Sequence, residues 1–219
     1  DLMERGVITA LAMPGSTAIH DFEIAASGGT SEDVAGGLDG GEYGTTEETG
    51  RFFAAAAEKG AAGEGLGRAL GEAMLSSDLP FAEWSLLAGA ARLGLPATVH
   101  VAIGTDTVHL HPACDGGAIG AATHLDFRIA TSVIAALDHG VYLNVGSAVV
   151  LPEVFLKAVA MVHHAWAHEH GDGRRLDITT GNLDMLRHYR PRVNVLERPA
   201  AQGYDVAGQH EYTVPLLRL

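Results

Sequence analysis

Residues Thr98 to Ala122 read TVHVAIGTDTVHLHPACDGGAIGAA. A short apolar run, Ala97 to Ile103, stops at a cluster of polar residues (Thr105, Asp106, His109, His111, Asp115), and Gly116-Gly117 then opens an apolar helical pattern. An open α/β sheet builds a ligand site in this way. A strand ends, its loop carries the chemistry, and the following helix turns unpaired backbone N–H groups toward the ligand.

The rest of the chain repeats the alternation. Val7 to Met13 is a continuous apolar run suited to an interior strand, broken by Pro14-Gly15, with Ser16 as the expected N-cap of a helix through AIHDFEIAA that ends at Gly28-Gly29. Residues 30–50, rich in Gly, Glu and Asp, read as a surface excursion with short helical pieces. Helices are predicted over 47–59, 65–75, 81–93, 118–137 and 152–168, with Pro152 in the first turn of the last. Further strands are expected at Val141 to Val145, Arg175 to Thr180 and Arg192 to Leu196. The expected fold is therefore α/β, one open parallel sheet with helices on both faces, Rossmann-like, in a single domain over 1–219. Four strand ends (Pro14 to Asp21, Gly104 to Gly120, Asn144 to Ser147, Thr179 to Asp184) would then share one edge and converge on one crevice.

Composition sets outer bounds. The net charge of −13 argues against nucleic acid or an anionic membrane surface as a partner. A single cysteine, Cys114, excludes an internal disulfide and fits a reducing compartment, with the cytoplasm as the default. No apolar run approaches a membrane span. Lys59 and Lys157 are the only lysines. The chain opens on Asp1 with what reads as the last turn of a helix, so the domain is expected to start before it.

Twelve histidines nearly equal the lysines and arginines together. His109 and His111 stand two apart, as zinc ligands often do, with Asp106 and Asp115 close by. The HHAWAHEH cluster (His163, His164, His168, His170) reads as a solvated helix C-terminus, and His124, Asp126 and Arg128 as a surface or subunit-contact set. Neither GxGxxG nor a nucleophile elbow is present.

The strand-end motifs resemble the deoxyhypusine synthase family. ITALAMPGSTAIHD resembles the family's strand, small-residue turn and acidic pair, with His20 and Asp21 at the pair; CDGGAIGA resembles TDGS(I/L)GD, giving Asp115, Gly116 and Gly120. VGSAVVLPE resembles the glycine-rich LGGGVVKHH turn, and ITTGNLD resembles INTAQEFDGS, placing Thr180, Asn182 and Asp184. The family's final Asp-Ala before an apolar tail resembles His210-Glu211 before YTVPLL.

The resemblance implies NAD as cofactor and a homo-oligomer, dimer or tetramer. The strand-end crevice and the resemblance together give the expected cofactor residues Gly15, His20, Asp21, Thr105, Asp106, Gly116, Gly146, Ser147, Thr180, Asn182, His210 and Glu211. Asp115 and Asp184 would seat a small polar substrate, an amine in the leading case, with His109 or His111 as general base. The departures bear on the reaction. Leu151, Pro152 and Glu153 replace the family's Lys-His-His, and HYRPRVNV offers only arginines where the family has its imine-forming lysine, so authentic deoxyhypusine synthesis is not expected. Two further readings are a metal-dependent hydrolase or lyase centred on His109, His111 and Asp115, and a non-catalytic nucleotide-binding protein.

Overall fold

Strand β1 (Leu11–Pro14) runs parallel to β2 (Ala97–His100), with Leu11 opposite Ala97 and Pro14 opposite His100. These belong to a computed structural model that describes residues 1–30, 32–171 and 174–218; the His170 side chain also lies outside the described residues. The chain divides into two compact units, 1–126 and 127–219, each with its own apolar core.

In the first unit, Pro14 ends β1 and serves as N-cap of α1 (Gly15–Ser27), which Gly28 closes at a φ of +77°. The expected cap, Ser16, is instead the second residue of the helix. The acidic excursion holds the short helix α2 (Val34–Gly40), and α3 (Glu47–Lys59) follows where the pattern placed it. Helix α4 (Leu66–Ser76) packs on β2 and on α5 (Leu86–Leu93) across glycines one turn apart. A Cβ on Gly67 would stand 2.3 Å from the Ala97 carbonyl oxygen, and one on Gly71 2.4 Å from that of Leu87. The predicted helix over 81–93 is split at Ser85, whose hydroxyl caps α5 by accepting the Ala88 N–H at 2.9 Å. Phe53, Leu66, Leu70, Met74, Leu87 and Val99 fill the core.

Helix α6 (Gly116–Ala135) crosses the division. In the second unit β3 (Val141–Val145), β4 (Thr179–Asp184) and β5 (Gln202–Ala207) form a parallel sheet in that order. Helix α7 (Val150–His170) packs its Phe155, Val159 and Val162 into a core with Ile178 and Val195, and Tyr142 stacks on Phe155 at 3.8 Å. A short helical turn, α8 (Tyr189–Pro191), and α9 (His210–Leu216) complete the unit.

The fold is α/β, with two small parallel sheets where one open sheet was expected. The four strand ends accordingly fall two to a sheet. Three strand predictions are corrected. Pairing begins only at Leu11, and Val7 is exposed. The strand placed at Arg175 to Thr180 is instead Thr179–Asp184, where Asn182 is held by Asn144 and Asp205 of the two neighbouring strands. Arg192 to Leu196 is not a strand. Pro191 starts a widened helical turn, Arg192–Glu197, and the fifth strand is the polar, exposed Gln202–Ala207. No helix among the described residues is long and apolar enough to cross a membrane.

Candidate functional site

The charge is unevenly divided. The first unit carries eighteen of the twenty-seven acidic side chains and five of the fourteen basic ones, a net −13, whereas the second carries nine of each. A cleft of about 670 Å³ opens in the first unit at the carboxyl ends of β1 and β2. It is walled by α1, the excursion after it, the first turn of α3 and the loop after β2. Four carboxylates line it (Glu23, Glu32, Glu48, Asp106), together with His20, and no lysine or arginine among the described residues does.

Helix geometry explains the α1 wall. Ser16, His20, Glu23 and Ser27 are spaced four, three and four apart, so they share the stripe that faces the cleft. Glu23 is held by two hydroxyls, Thr30 Oγ1 on one oxygen and Thr49 Oγ1 at 3.4 Å on the other. The Gly44 N–H donates to Glu32 Oε1 at 2.7 Å. Asp106, only 8% exposed, accepts the Ala102 N–H at 3.4 Å and the Ser16 N–H at the start of α1. Burial raises its carboxyl above the usual range, opposed by those backbone bonds. A Cβ on Gly15 would meet Asp106 Oδ2 at 2.2 Å, so the approach requires glycine there.

Of the residues singled out from sequence, the structure brings His20, Thr105 and Asp106 to this cleft, with Gly15 behind Asp106. Asp21 sits on the opposite side of α1, buried, with one oxygen accepting from Leu86 N–H (2.7 Å) and the other from Ser85 Oγ (2.7 Å) and Leu87 N–H (3.0 Å). It is committed to the start of α5. Asp115 is exposed and caps α6 through Ala118 N–H at 3.0 Å, next to the exposed Gly116 and Gly120.

The two expected bases do not line the cleft. His111 is buried; its Nδ1 accepts the Ala113 N–H at 3.1 Å, which leaves Nε2 to donate to Glu47 Oε2 at 2.8 Å. That bond, ahead of Arg51, lowers the Glu47 carboxyl. His109 Nε2 accepts the Gly104 N–H at 3.0 Å, and its Nδ1 is buried without a partner. Nor do the described histidines gather elsewhere. His163 Nε2 accepts the Leu176 N–H at 3.1 Å while His164 and His168 are exposed. Among the described residues no three His, Cys, Asp or Glu side chains converge as metal ligands do. Burial, and then Asp115, push the Cys114 thiol up, away from the reactive thiolate.

In the second unit, Asn144, Asn182 and Asp205 occupy one register across β3, β4 and β5 and form a ladder. Asn144 Nδ2 donates to Asn182 Oδ1 at 2.9 Å and to the Ser147 carbonyl at 2.9 Å, and Asn182 Nδ2 donates to Asp205 Oδ1 at 3.1 Å. Gly146, at a φ of +67°, turns the chain toward α7, where Ser147 Oγ accepts the Leu151 N–H at 3.2 Å. His210 Nε2 lies 3.0 Å from where a Gly146 Cβ would be. Asn144 Oδ1 and His210 Nδ1 are buried without partners. Thr180 is spent on the Val195 carbonyl (2.9 Å), Asp184 accepts from Leu186 N–H (3.2 Å), and Glu211 is exposed on the first turn of α9.

Sequence reasoning missed Glu23, Glu32, Glu48, Thr30 and Thr49. The helical stripe on α1 held the signal for Glu23; the others come from the aperiodic excursion and the start of α3. It also misplaced Asp126, which is wholly buried and joins α4 to β2 by accepting the Gly67 and Val99 N–H groups on Oδ2 at 2.8 and 2.7 Å. His124 and Arg128, read with it, are exposed. Compared with protein-family models, with curated proteins and with solved structures, the chain finds no match.

Proposed function

We propose that the chain is a deoxyhypusine-synthase-like, NAD-dependent enzyme of Rossmann-like architecture that acts on a small amine bound as a cation in the first unit's cleft. The observation that carries this reading is the lining itself: four carboxylates, three of them hydrogen-bonded in place, and no lysine or arginine among the described lining residues to neutralise them. Glu23, pre-oriented by Thr30 and Thr49, is the seat of an ammonium group, and Asp106 adds a desolvated charge at the cleft floor. His20 stands on the same helical stripe as Glu23 and is the imidazole placed to take a proton from the substrate nitrogen, a role expected of His109 or His111.

The residues that would hold NAD are those around Gly146: Ser147, Asn144, Asn182 and His210. Two buried polar atoms without partners, Asn144 Oδ1 and His210 Nδ1, flank a glycine turn with a positive φ and suit a ribose hydroxyl or an amide. Gly15 does not offer a comparable cradle, because Asp106 fills its open side. When bound, NAD supplies a hydride acceptor, which no side chain can be. Neither lysine serves as an imine-forming nucleophile here: Lys59 pairs with Glu72 at 2.8 Å and Glu64 at 3.3 Å, and Lys157 pairs with Glu153. The test is calorimetric titration with a series of linear diamines, with and without NAD. Saturable binding that Glu23→Gln weakens by about tenfold or more, the scale of one lost charge-assisted hydrogen bond, supports the reading; equal binding by that variant overturns it.

A further inference from the structure

Helix α1 lacks both of the usual devices at its start. Its N-cap is Pro14, which has no side-chain oxygen, and its first turn has no acidic residue. A thirteen-residue helix with free first-turn N–H groups at the carboxyl end of a parallel strand is where an α/β fold receives a phosphate or carboxylate. Here that position already holds an anion. The Asp106 carboxylate, from the loop after β2, accepts the Ser16 N–H and lies against Gly15, whose missing side chain leaves room for it. The carboxylate is more than nine-tenths buried; no lysine or arginine among the described residues lines the cleft, and the basic group acting on Asp106 is the His109 imidazole, outside the lining.

We infer that Asp106 is the selectivity residue of the cleft: it occupies the anion position at the start of α1 with the chain's own carboxylate, so the cleft accepts cationic groups and excludes phosphates and carboxylates. This rests on reading the cleft as an amine site and adds what the cleft refuses. An incoming phosphate would have to displace Asp106 and approach Glu23 and Glu48, and it is repelled by all three. An ammonium group meets the same charges as attraction.

The experiment is calorimetric titration of the full chain with inorganic phosphate, pyrophosphate and 1,4-diaminobutane, comparing wild type with Asp106→Ser. A serine keeps a small acceptor for the Ser16 N–H and removes the charge. The expected result is no saturable phosphate binding by the wild type, a gain of at least about tenfold in phosphate or pyrophosphate affinity in the variant, and weaker diamine binding. Should Asp106→Ser lower the melting temperature into the assay range, Asp106→Asn carries the same test. Phosphate binding by the wild type equal to that of a folded variant overturns the inference. The amine reading fails separately, on absent diamine binding by the wild type, and that result leaves the phosphate comparison standing.

Discussion

Two buried groups at β2, His100 on the strand itself and Asp126 reaching it from α6, respond to acid in opposite senses, which makes the stability of the first unit a quantitative test of its packing. Burial pushes the Asp126 carboxyl up to about 6, against an ordinary 3.8, despite the Val99 and Gly67 N–H bonds. The folded state then holds a proton that the unfolded chain has released, so this contribution is complete below pH 3.8 and is lost as pH rises through 6. Burial alone pulls the His100 imidazole down to about 4 from 6.5; its contribution is present above pH 6.5 and is lost as pH falls through 4. At about 1.4 kcal/mol per unit, each amounts to roughly 3 kcal/mol. Between pH 7 and pH 4 the two nearly cancel, and wild-type stability should be almost flat on their account. Asp126→Asn removes one side of the balance and should lose about 3 kcal/mol more than wild type over that range, with His100→Gln shifting in the reverse direction. The assay is urea unfolding at unit steps of pH, followed by Trp84 fluorescence in a Trp166→Phe background, since Trp84 lies in the first unit and Trp166 in the second. Parallel pH profiles for wild type and Asp126→Asn would refute the reasoning.

Three other substitutions test the packing more simply. Asp21→Ala removes three hydrogen bonds from the start of α5 and should cost about 2–4 kcal/mol in the first unit, read by the same Trp84 signal, without changing diamine affinity. Gly67→Ala drives a Cβ to 2.3 Å from the Ala97 carbonyl oxygen and should cost about 2–3 kcal/mol, visible as a lower melting temperature of the first unit. Phe155→Ala opens the second unit's core beneath Tyr142 and should cost about 3–5 kcal/mol, read by Trp166 in a Trp84→Phe background.

Local signals in this sequence were legible where one residue type has one physical use. Gly28 and Gly94 close helices at positive φ, and helix α3 begins and ends where its pattern does. The order strand, loop, helix from Ala97 through α6 stands as read, although the strand ends at His100 instead of Ile103 and the helix runs Gly116–Ala135 instead of 118–137. What was not legible depends on partners far along the chain. The polar Gln202–Ala207 has no apolar alternation to mark it as a strand, and only its pairing with β4 makes it one. Arg192 to Leu196 has the right residues for a strand, but Pro191 and the bonds from Arg192 to Glu197 and Arg198 to Asn194 close it into a helical turn. Nothing local separates Asp126, wholly buried, from an ordinary polar residue on an exposed helix face; its partners lie 59 and 27 positions away. For the site the same holds. The loop after β2 was found, but Asp106 reaches α1 while His111 faces α3, and spacing alone does not distinguish the two.

The most direct measurement is a calorimetric titration of the full chain with 1,4-diaminobutane at low and high salt, repeated with Glu23→Gln. Saturable binding that weakens as salt rises and falls by about tenfold or more in the variant is the predicted result, as expected of a charge-assisted seat in an acidic cleft. No binding by the wild type, or binding that the variant leaves untouched, would contradict the assignment of the cleft to an amine.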